Sequence, residues 1–385
     1  MNDQDHLKPL LESLRESAVE RDHAGGHAAR EKALLREHGL LNLSIPREFG
    51  GEELPWPQIY RIVRRVAGVD SALGHVLAFH HLQIATVLIY GNPAQKRRWL
   101  GDTVRHGYWW GNAMNPLDTR LVASEGAGGF RLNGAKGFCS GTTGSYFMTL
   151  SALHQDSGKV MLGVVPTVQD GIRILDDWDP IGQRQTDSNS VEFTDVPLPE
   201  DSILRAHYAE QTAFHTLRTC FAQLVLVNLY VGIASGALDE ARRYALSQAR
   251  PWVHAGAASV ADDPLVVQRF AEMHVQVAAA TALADRAGDL LEKAYVRGPE
   301  LDAQTRGEVA VAIAEAKVLA HRAGLYASQE LFEVVGARGA KAALGFDRFW
   351  RNVRTHTLHD PLDYKLQVLG KWALLGETPS PTLYN

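Results

Sequence analysis

Sulfur and positive charge are what this 385-residue chain has little of. It carries two cysteines and five methionines. That is too few thiols for a disulfide scaffold, a four-cysteine zinc site or an iron–sulfur cluster. The formal net charge is −5, which argues against nucleic acid as a partner because such binding needs a basic face. The start, Met1-Asn2-Asp3-Gln4-Asp5-His6, has neither the basic nor the apolar segment of a signal peptide. The most apolar run, Leu224 to Leu238, is interrupted by Asn228, Ser235 and small residues. It is too short to cross a bilayer and reads as a buried helix, apolar on most sides. The expectation is a cytoplasmic protein with no membrane and no nucleic-acid partner.

What is present is an ordinary globular balance, 45% hydrophobic and 22% charged, in a chain long enough for two or three domains. Three zones follow one another. Residues 1–107 read as helical: Leu7, Leu10, Leu11 and Leu14 keep helical spacing, as do Ile59, Ile62, Val63 and Val66. A further helix is predicted from about Ser71 to Tyr90, between Asp70 as a cap and Gly91-Asn92-Pro93 as a stop. Residues 108–202 read as short strands around Val160 to Val165, Ile172 to Ile174 and Val191 to Phe193. Asn133-Gly134, flanked by alternating residues, predicts a hairpin turn. Glu125-Gly126-Ala127-Gly128-Gly129 precedes that hairpin and no helix, so it reads as a turn and not as a dinucleotide loop. With no helix between the strands, an antiparallel sheet is expected. Residues 203–385 return to long, Ala-rich helices near 210–249, 264–295 and 306–335, which pack as a bundle.

That order resembles the acyl-CoA dehydrogenase superfamily, and several segments carry the resemblance. Ile45-Pro46-Arg47-Glu48-Phe49-Gly50-Gly51 is similar to its early turn, and Gly91-Asn92-Pro93-Ala94-Gln95-Lys96 to its "G-x-x-x-Q-K" segment. Gly182-Gln183-Arg184-Gln185-Thr186-Asp187-Ser188, followed by Phe193-Thr194-Asp195-Val196-Pro197, resembles its central strand pair. The resemblance implies a mainly α protein with a central β domain: an N-terminal helical domain (1–107), an antiparallel β domain (108–202) and a C-terminal four-helix bundle (203–385).

Two departures bear on function. Where the dehydrogenases carry a Glu-Gly pair that removes the substrate's α-proton, this chain has Asp360-Pro361. A carboxylate one methylene shorter falls outside the roughly 3 Å a base needs. Gln248-Ala249-Arg250-Pro251-Trp252 lacks the family's "R-x-x-F-G" diphosphate segment, which favours FMN over FAD. The segment Arg351-Asn352-Val353-Arg354-Thr355-His356-Thr357-Leu358-His359-Asp360-Pro361 resembles the flavin-dependent monooxygenase branch instead. That branch includes dibenzothiophene monooxygenase and related organosulfur oxygenases. The resemblance implies a homotetrameric oxidoreductase supplied with FMNH₂ by a separate NAD(P)H:FMN reductase. It forms a C4a-hydroperoxyflavin with O₂ and transfers one oxygen to a small substrate. An organosulfur compound (sulfide, sulfone, sulfinate or thiophene), used in sulfur acquisition or desulfurisation, is the expected class. The alternatives are an FAD-dependent acyl-CoA dehydrogenase and a monooxygenase acting on nitrogen or aromatic carbon.

The same resemblance assigns site residues. Ser140, in Gly137-Phe138-Cys139-Ser140-Gly141, stands where the family places a hydroxyl beside flavin N5. His356 and His359, at i and i+3, share one side of a helical turn or adjoining loop and can handle protons near neutral pH. Their spacing with Asp360 also allows a metal, but no further ligand cluster stands out, and none is expected. His75 faces the substrate side of the flavin with Phe79 one turn later, and His80 and His81 read as structural. Asn112 and Met114 are expected along the flavin pyrimidine, Trp178 and Gln183 in the substrate pocket. Arg250 and Arg338 are the candidates for the FMN phosphate, Arg338 from a neighbouring subunit.

Overall fold

The computed structural model describes residues 7–205 and 211–385. The acidic start, Met1 to His6, lies outside the described residues. Five helices come first: α1 (Lys8–Ala24), α2 (Ala29–Glu37), α3 (Trp56–Val69), α4 (Ser71–Tyr90) and α5 (Pro93–His106). The apolar stripe of α3 buries Ile59, Ile62, Val63 and Val66. Helix α4 starts where the Asp70 side chain accepts from the Leu73 backbone N–H at 3.0 Å, and α5 opens with a reciprocal Asn92–Gln95 capping box. All residues of α4 except Phe79 are buried, so it has no polar face and forms a core helix of the molecule.

Eight strands follow: β1 (Trp110–Ala113), β2 (Val122–Gly126), β3 (Gly129–Lys136), β4 (Phe147–His154), β5 (Val160–Pro166), β6 (Ile172–Ile174), β7 (Val191–Pro199) and β8 (Ile203–Arg205). They form one sheet in the order β6-β7-β3-β2-β4-β5-β8, with β1 beside β4. The sheet is mixed, not purely antiparallel. Strands β1 and β2 lie end to end along one edge of β4, and both run parallel to it. Sequence reasoning missed this because the connections are long loops, not helices. Asn133-Gly134 is also not a hairpin turn. It sits inside β3, where the register against β7 shifts and Gly134 takes φ 126°, so the dipeptide makes a bulge. The hairpin turns at Gly126-Ala127-Gly128-Gly129, where Gly126 pairs with Gly129.

The chain then returns to helices: α6 (Ala213–Ser247), α7 (Pro264–Val296), α8 (Ala303–Val335), α9 (Asp347–Thr357) and α10 (Leu362–Leu375). Thr212, Asp263 and Asp302 cap the three long ones. Helices α6, α7 and α8 pack on one another, α10 lies on α8, and α3 and α4 lie on α6. The α3–α6 crossing is close because it uses glycine: a Cβ on Gly236 would stand 2.0 Å from the Gly68 carbonyl oxygen. Helices α4 and α6 are long and apolar enough to span a membrane, yet 94% and 83% of their most apolar windows are buried inside the protein. Among the described residues there are two hydrophobic clusters. One joins the N-terminal helices to the C-terminal bundle and takes in sheet residues such as Trp110, Phe147, Leu162 and Val164, and a smaller one belongs to the sheet and its turns.

Candidate active site

The site lies where α4, the sheet and α9 meet. Helix α4 contains three buried histidines, and their hydrogen bonding separates them. His80 Nε2 reaches the Leu41 carbonyl at 2.9 Å, and its Nδ1 accepts from the Trp110 N–H. His81 Nε2 reaches the Leu40 carbonyl at 2.9 Å, and its Nδ1 pairs with Ser44 Oγ at 2.7 Å. Both are fully partnered structural residues, as expected. His75 is equally buried, but neither of its ring nitrogens has a partner. Its ring stacks on Phe79 at 4.0 Å and on His356 at 4.9 Å. His356, from α9, has an unpartnered Nε2, and its backbone carbonyl accepts from the Tyr230 hydroxyl at 2.9 Å. A buried polar atom without a partner costs about 1–3 kcal/mol, so three such atoms on two stacked rings mark a place where a ligand supplies the missing bonds. Burial pushes His356 down to about 3, helped by His359 and Lys317. Burial likewise pushes His75 well below the ordinary histidine range. Both rings are neutral at pH 7.

Gln183 ties the sheet to these helices. It sits at φ 58°, its N–H donates to Asn352 Oδ1 at 2.6 Å, and its Nε2 donates to Ser71 Oγ at 3.0 Å. Its own Oε1 is buried and unpartnered. The preceding residue must be glycine, since a Cβ on Gly182 would stand 2.2 Å from the Arg351 carbonyl oxygen. Trp178 donates from Nε1 to the Gln183 carbonyl at 2.9 Å and meets Phe138 edge-on.

Ser140 is buried in the turn between β3 and β4. Its Oγ lies 2.7 Å from Ser188 Oγ, which lies 2.8 Å from Thr186 Oγ1, which donates to the Gln183 carbonyl at 3.0 Å. The Ser140 carbonyl accepts from the Asn112 N–H at 3.0 Å. Asn112 Oδ1 in turn accepts from Gln83 Nε2 at 3.3 Å and from the Met114 N–H at 3.4 Å. Lys32, buried beneath, donates to the Thr143 carbonyl at 2.6 Å and holds the turn from below. The adjacent Cys139 thiol is pushed up to about 12 by burial, so it is no nucleophile.

His359 stands just past α9. Its side chain is 46% exposed, and its Nδ1 lies 2.9 Å from Asp360 Oδ1. Asp360 also pairs with Lys317 of α8, whose ammonium is buried and donates to Gln223 Oε1 at 2.6 Å. Burial pulls the Asp360 carboxyl upward. The His359 hydrogen bond and the Lys317 charge outweigh that pull and hold it well below the usual carboxylate range. The residue in the place of the dehydrogenase base is thus an engaged ion-pair partner, not a free base.

Gln83 Nε2, which also donates to the Phe79 carbonyl at 3.1 Å, links the stacked rings to Asn112, so the structure brings together His75, Phe79, Asn112, Met114, Ser140, Trp178, Gln183 and His356 in one connected network. His359 adjoins it through the end of α9. Arg250 and Arg338 do not join it: both are exposed, on the loop after α6 and on the short turn after α8. Among the described residues no group of three or more His, Cys, Asp or Glu is placed to hold a metal. Sequence reasoning passed over Lys317, Asn352, Thr186 and Ser188. A lysine among the small apolar residues of α8 was the available signal for Lys317. The other three lie inside segments whose partners are distant in sequence.

Residues 5–106 match the acyl-CoA dehydrogenase N-terminal domain and residues 224–364 the acyl-CoA dehydrogenase C-terminal domain. The chain is 43% identical over 379 residues to a probable FMNH2-dependent monooxygenase, SfnC, of Pseudomonas putida, covering 98% of this chain and 96% of the relative. It is 40% identical over 387 residues to dibenzothiophene monooxygenase of Rhodococcus qingshengii, covering 97% and 93%. The structure of methanesulfinate monooxygenase MsuC from Pseudomonas fluorescens superposes with a TM-score of 0.97 at 43% identity over 100% of both chains. FMN-bound TdsC from Paenibacillus sp. A11-2 gives 0.95 at 35% identity over 99% of both. With matches that run almost end to end, this chain belongs to the acyl-CoA dehydrogenase family, beside that family's flavin-dependent monooxygenases.

Proposed function

We propose that this chain is an FMNH₂-dependent monooxygenase that puts one atom of O₂ into a small organosulfur compound and releases the other as water. The carrying observation is the pair of stacked imidazoles, His75 and His356, with three unpartnered nitrogens, beside a dehydrogenase-base position locked into a Lys317–Asp360–His359 network. A dehydrogenase needs a free carboxylate there, and this site has none to offer.

The residues fit FMN. Asn112 and Met114 would border the isoalloxazine and Ser140 would stand at N5, while Arg250 and Arg338 of a neighbouring copy, exposed and outside the buried network, would take the single phosphate, for which guanidinium geometry is suited. Bound FMNH₂ supplies the two electrons that activate O₂. The protein's part is to exclude water with Phe79, Trp178 and the bundle, and to orient the oxidant with His75 and His356, which stay neutral. His359 delivers the proton, because it alone of the three is open to solvent and has a carboxylate to partner a proton on its ring. The FMNH₂ comes from a separate NAD(P)H:FMN reductase.

Large exposed apolar side chains on α7, α10 and the loop after α6, among them Leu265, Leu374 and Trp252, support self-association, which we read as a homotetramer, and light scattering at a monomer's or a dimer's mass would oppose it. The three sequence zones, 1–107, 108–202 and 203–385, are proposed as its domains and the cytoplasm as its location. The deciding experiment supplies FMNH₂ under ¹⁸O₂ with methanesulfinate and with dibenzothiophene as probes. One ¹⁸O incorporated per oxidation step supports the reading. Oxidation of an acyl-CoA without oxygen incorporation refutes it.

A further inference from the structure

The hydroxyls of Ser140, Ser188 and Thr186 form a chain with a direction. Each carries one proton, and there are three links: Ser140 to Ser188 at 2.7 Å, Ser188 to Thr186 at 2.8 Å, and Thr186 to the Gln183 carbonyl at 3.0 Å. A carbonyl oxygen only accepts, so Thr186 must donate to it. Thr186 then has only lone pairs left for Ser188, so Ser188 donates to Thr186. Ser188 in turn has only lone pairs left for Ser140, so Ser140 donates to Ser188. This is the one assignment that makes all three bonds. All three side chains are buried, where a lost bond is not replaced by water. Turning Ser140 round to donate elsewhere therefore breaks a link or sets two oxygens lone pair to lone pair at under 3 Å.

From this we infer that Ser188 and Thr186 are positioning residues that leave Ser140 only as an acceptor, and that they thereby make the site select reduced over oxidised FMN. The inference rests on the reading that Ser140 faces flavin N5. Reduced flavin carries N5–H, a donor that meets an acceptor. Oxidised flavin presents an N5 lone pair, which meets another lone pair. The backbone supports the same turn: the Gly141 N–H donates to the Thr186 carbonyl at 2.9 Å, and the Asn112 N–H donates to the Ser140 carbonyl at 3.0 Å. The hydroxyl chain thus decides what the serine offers, and the main chain decides where it stands. Spent cofactor is rejected by the same contact that holds fresh cofactor, so product FMN leaves for the reductase.

The test is the dissociation constant of oxidised FMN, and of FMNH₂ under anaerobic conditions, for the full-length protein and its variants. In Ser188→Ala and Thr186→Val the Ser140 hydroxyl is released to donate. Oxidised FMN should then bind about 2- to 10-fold more tightly, the worth of one hydrogen bond, with little change for FMNH₂. Thr186→Ser keeps the oxygen and should keep the wild-type ratio. General damage to the turn weakens both forms, so a gain for the oxidised form alone is the signature. Ser140→Ala should lower the preference for FMNH₂ by weakening that form. If Ser140→Ala lowers it while Ser188→Ala and Thr186→Val leave the ratio of wild type, the directed chain is refuted and the monooxygenase reading stands. If Ser140→Ala has no effect on the ratio, Ser140 is not at N5 and the inference falls. If neither redox form of FMN binds the wild-type protein, the proposed function itself is wrong.

Discussion

Replacing Lys317 by methionine puts the Lys317–Asp360–His359 arrangement to a quantitative test. The ammonium is buried, and its acceptors are Asp360 and Gln223 Oε1. Methionine fills a similar volume without charge, so the packing of α8 is kept and the Asp360 carboxylate is left buried with only His359 Nδ1, at 2.9 Å. Removing one partner of a buried ion pair costs about 3–5 kcal/mol, whereas replacing both by apolar residues is often neutral. Lys317→Met should therefore lose about 3–5 kcal/mol, and Lys317→Met with Asp360→Leu should recover most of it. The pH dependence has a definite sign. The Asp360 carboxyl is held below its unfolded value, so its stabilisation is complete above the unfolded carboxylate range, about pH 4, and is lost as pH falls through the folded value. The gap between wild type and Lys317→Met should consequently narrow on acidification from pH 7 to below about 4. Urea unfolding of the two single variants and the double variant, at both pH values, measures these quantities. Additive losses in the double variant, or a gap that does not change with pH, would refute the reasoning.

Three further outcomes are expected. Ser140→Ala should raise the hydrogen peroxide released per FMNH₂ consumed by about 2- to 10-fold, the worth of one hydrogen bond; a peroxide-coupled dye assay measures it, and unchanged coupling removes Ser140 from the reaction. His356→Asn should lower turnover but leave the shape of the pH–rate profile between pH 5 and 8 as in wild type. The His356 imidazole is already neutral there, with burial pushing it down to about 3, and loss of a limb of the profile would contradict this. Gly182→Ala forces a Cβ to within 2.2 Å of the Arg351 carbonyl oxygen. Thermal denaturation should show a loss of about 1–3 kcal/mol, the usual cost of overpacking, and an unchanged melting curve would mean that α9 gives way without strain.

The long helices were legible because they rest on local signals. Asp70 caps α4 and Gly91 follows it, as read from the sequence, and the three bundle helices fall within a few residues of the expected ranges. The hairpin was placed wrongly because Asn-Gly reports only local backbone preference. At Asn133-Gly134 the β7 strand alongside turns that preference into a bulge. The site was legible by residue type but not by connection. His75 and His356 could be nominated one at a time, whereas their stacking joins positions 281 residues apart in the chain. Bonds such as Gln183 to Asn352 and Lys317 to Asp360 leave no periodic trace, because each partner satisfies a group on a different element.

The division of the protein into two hydrophobic clusters bears on how the chain finds its fold. The larger cluster joins helices on either side of the sheet in sequence, together with sheet residues such as Trp110, Phe147 and Leu162, so α4 must meet α6 across a connection of about 120 residues. Closing a flexible loop of that length costs about 4 kcal/mol in chain entropy. The sheet has its own cluster and can condense from its own contacts. Its first and last strands, β1 and β8, both lie against α4. Once the sheet has formed, the two ends of the connection are already side by side at the helix they must serve. The sheet that carries the Ser140 turn is thus also a clasp, and the bundle closes on a chain that has been shortened for it.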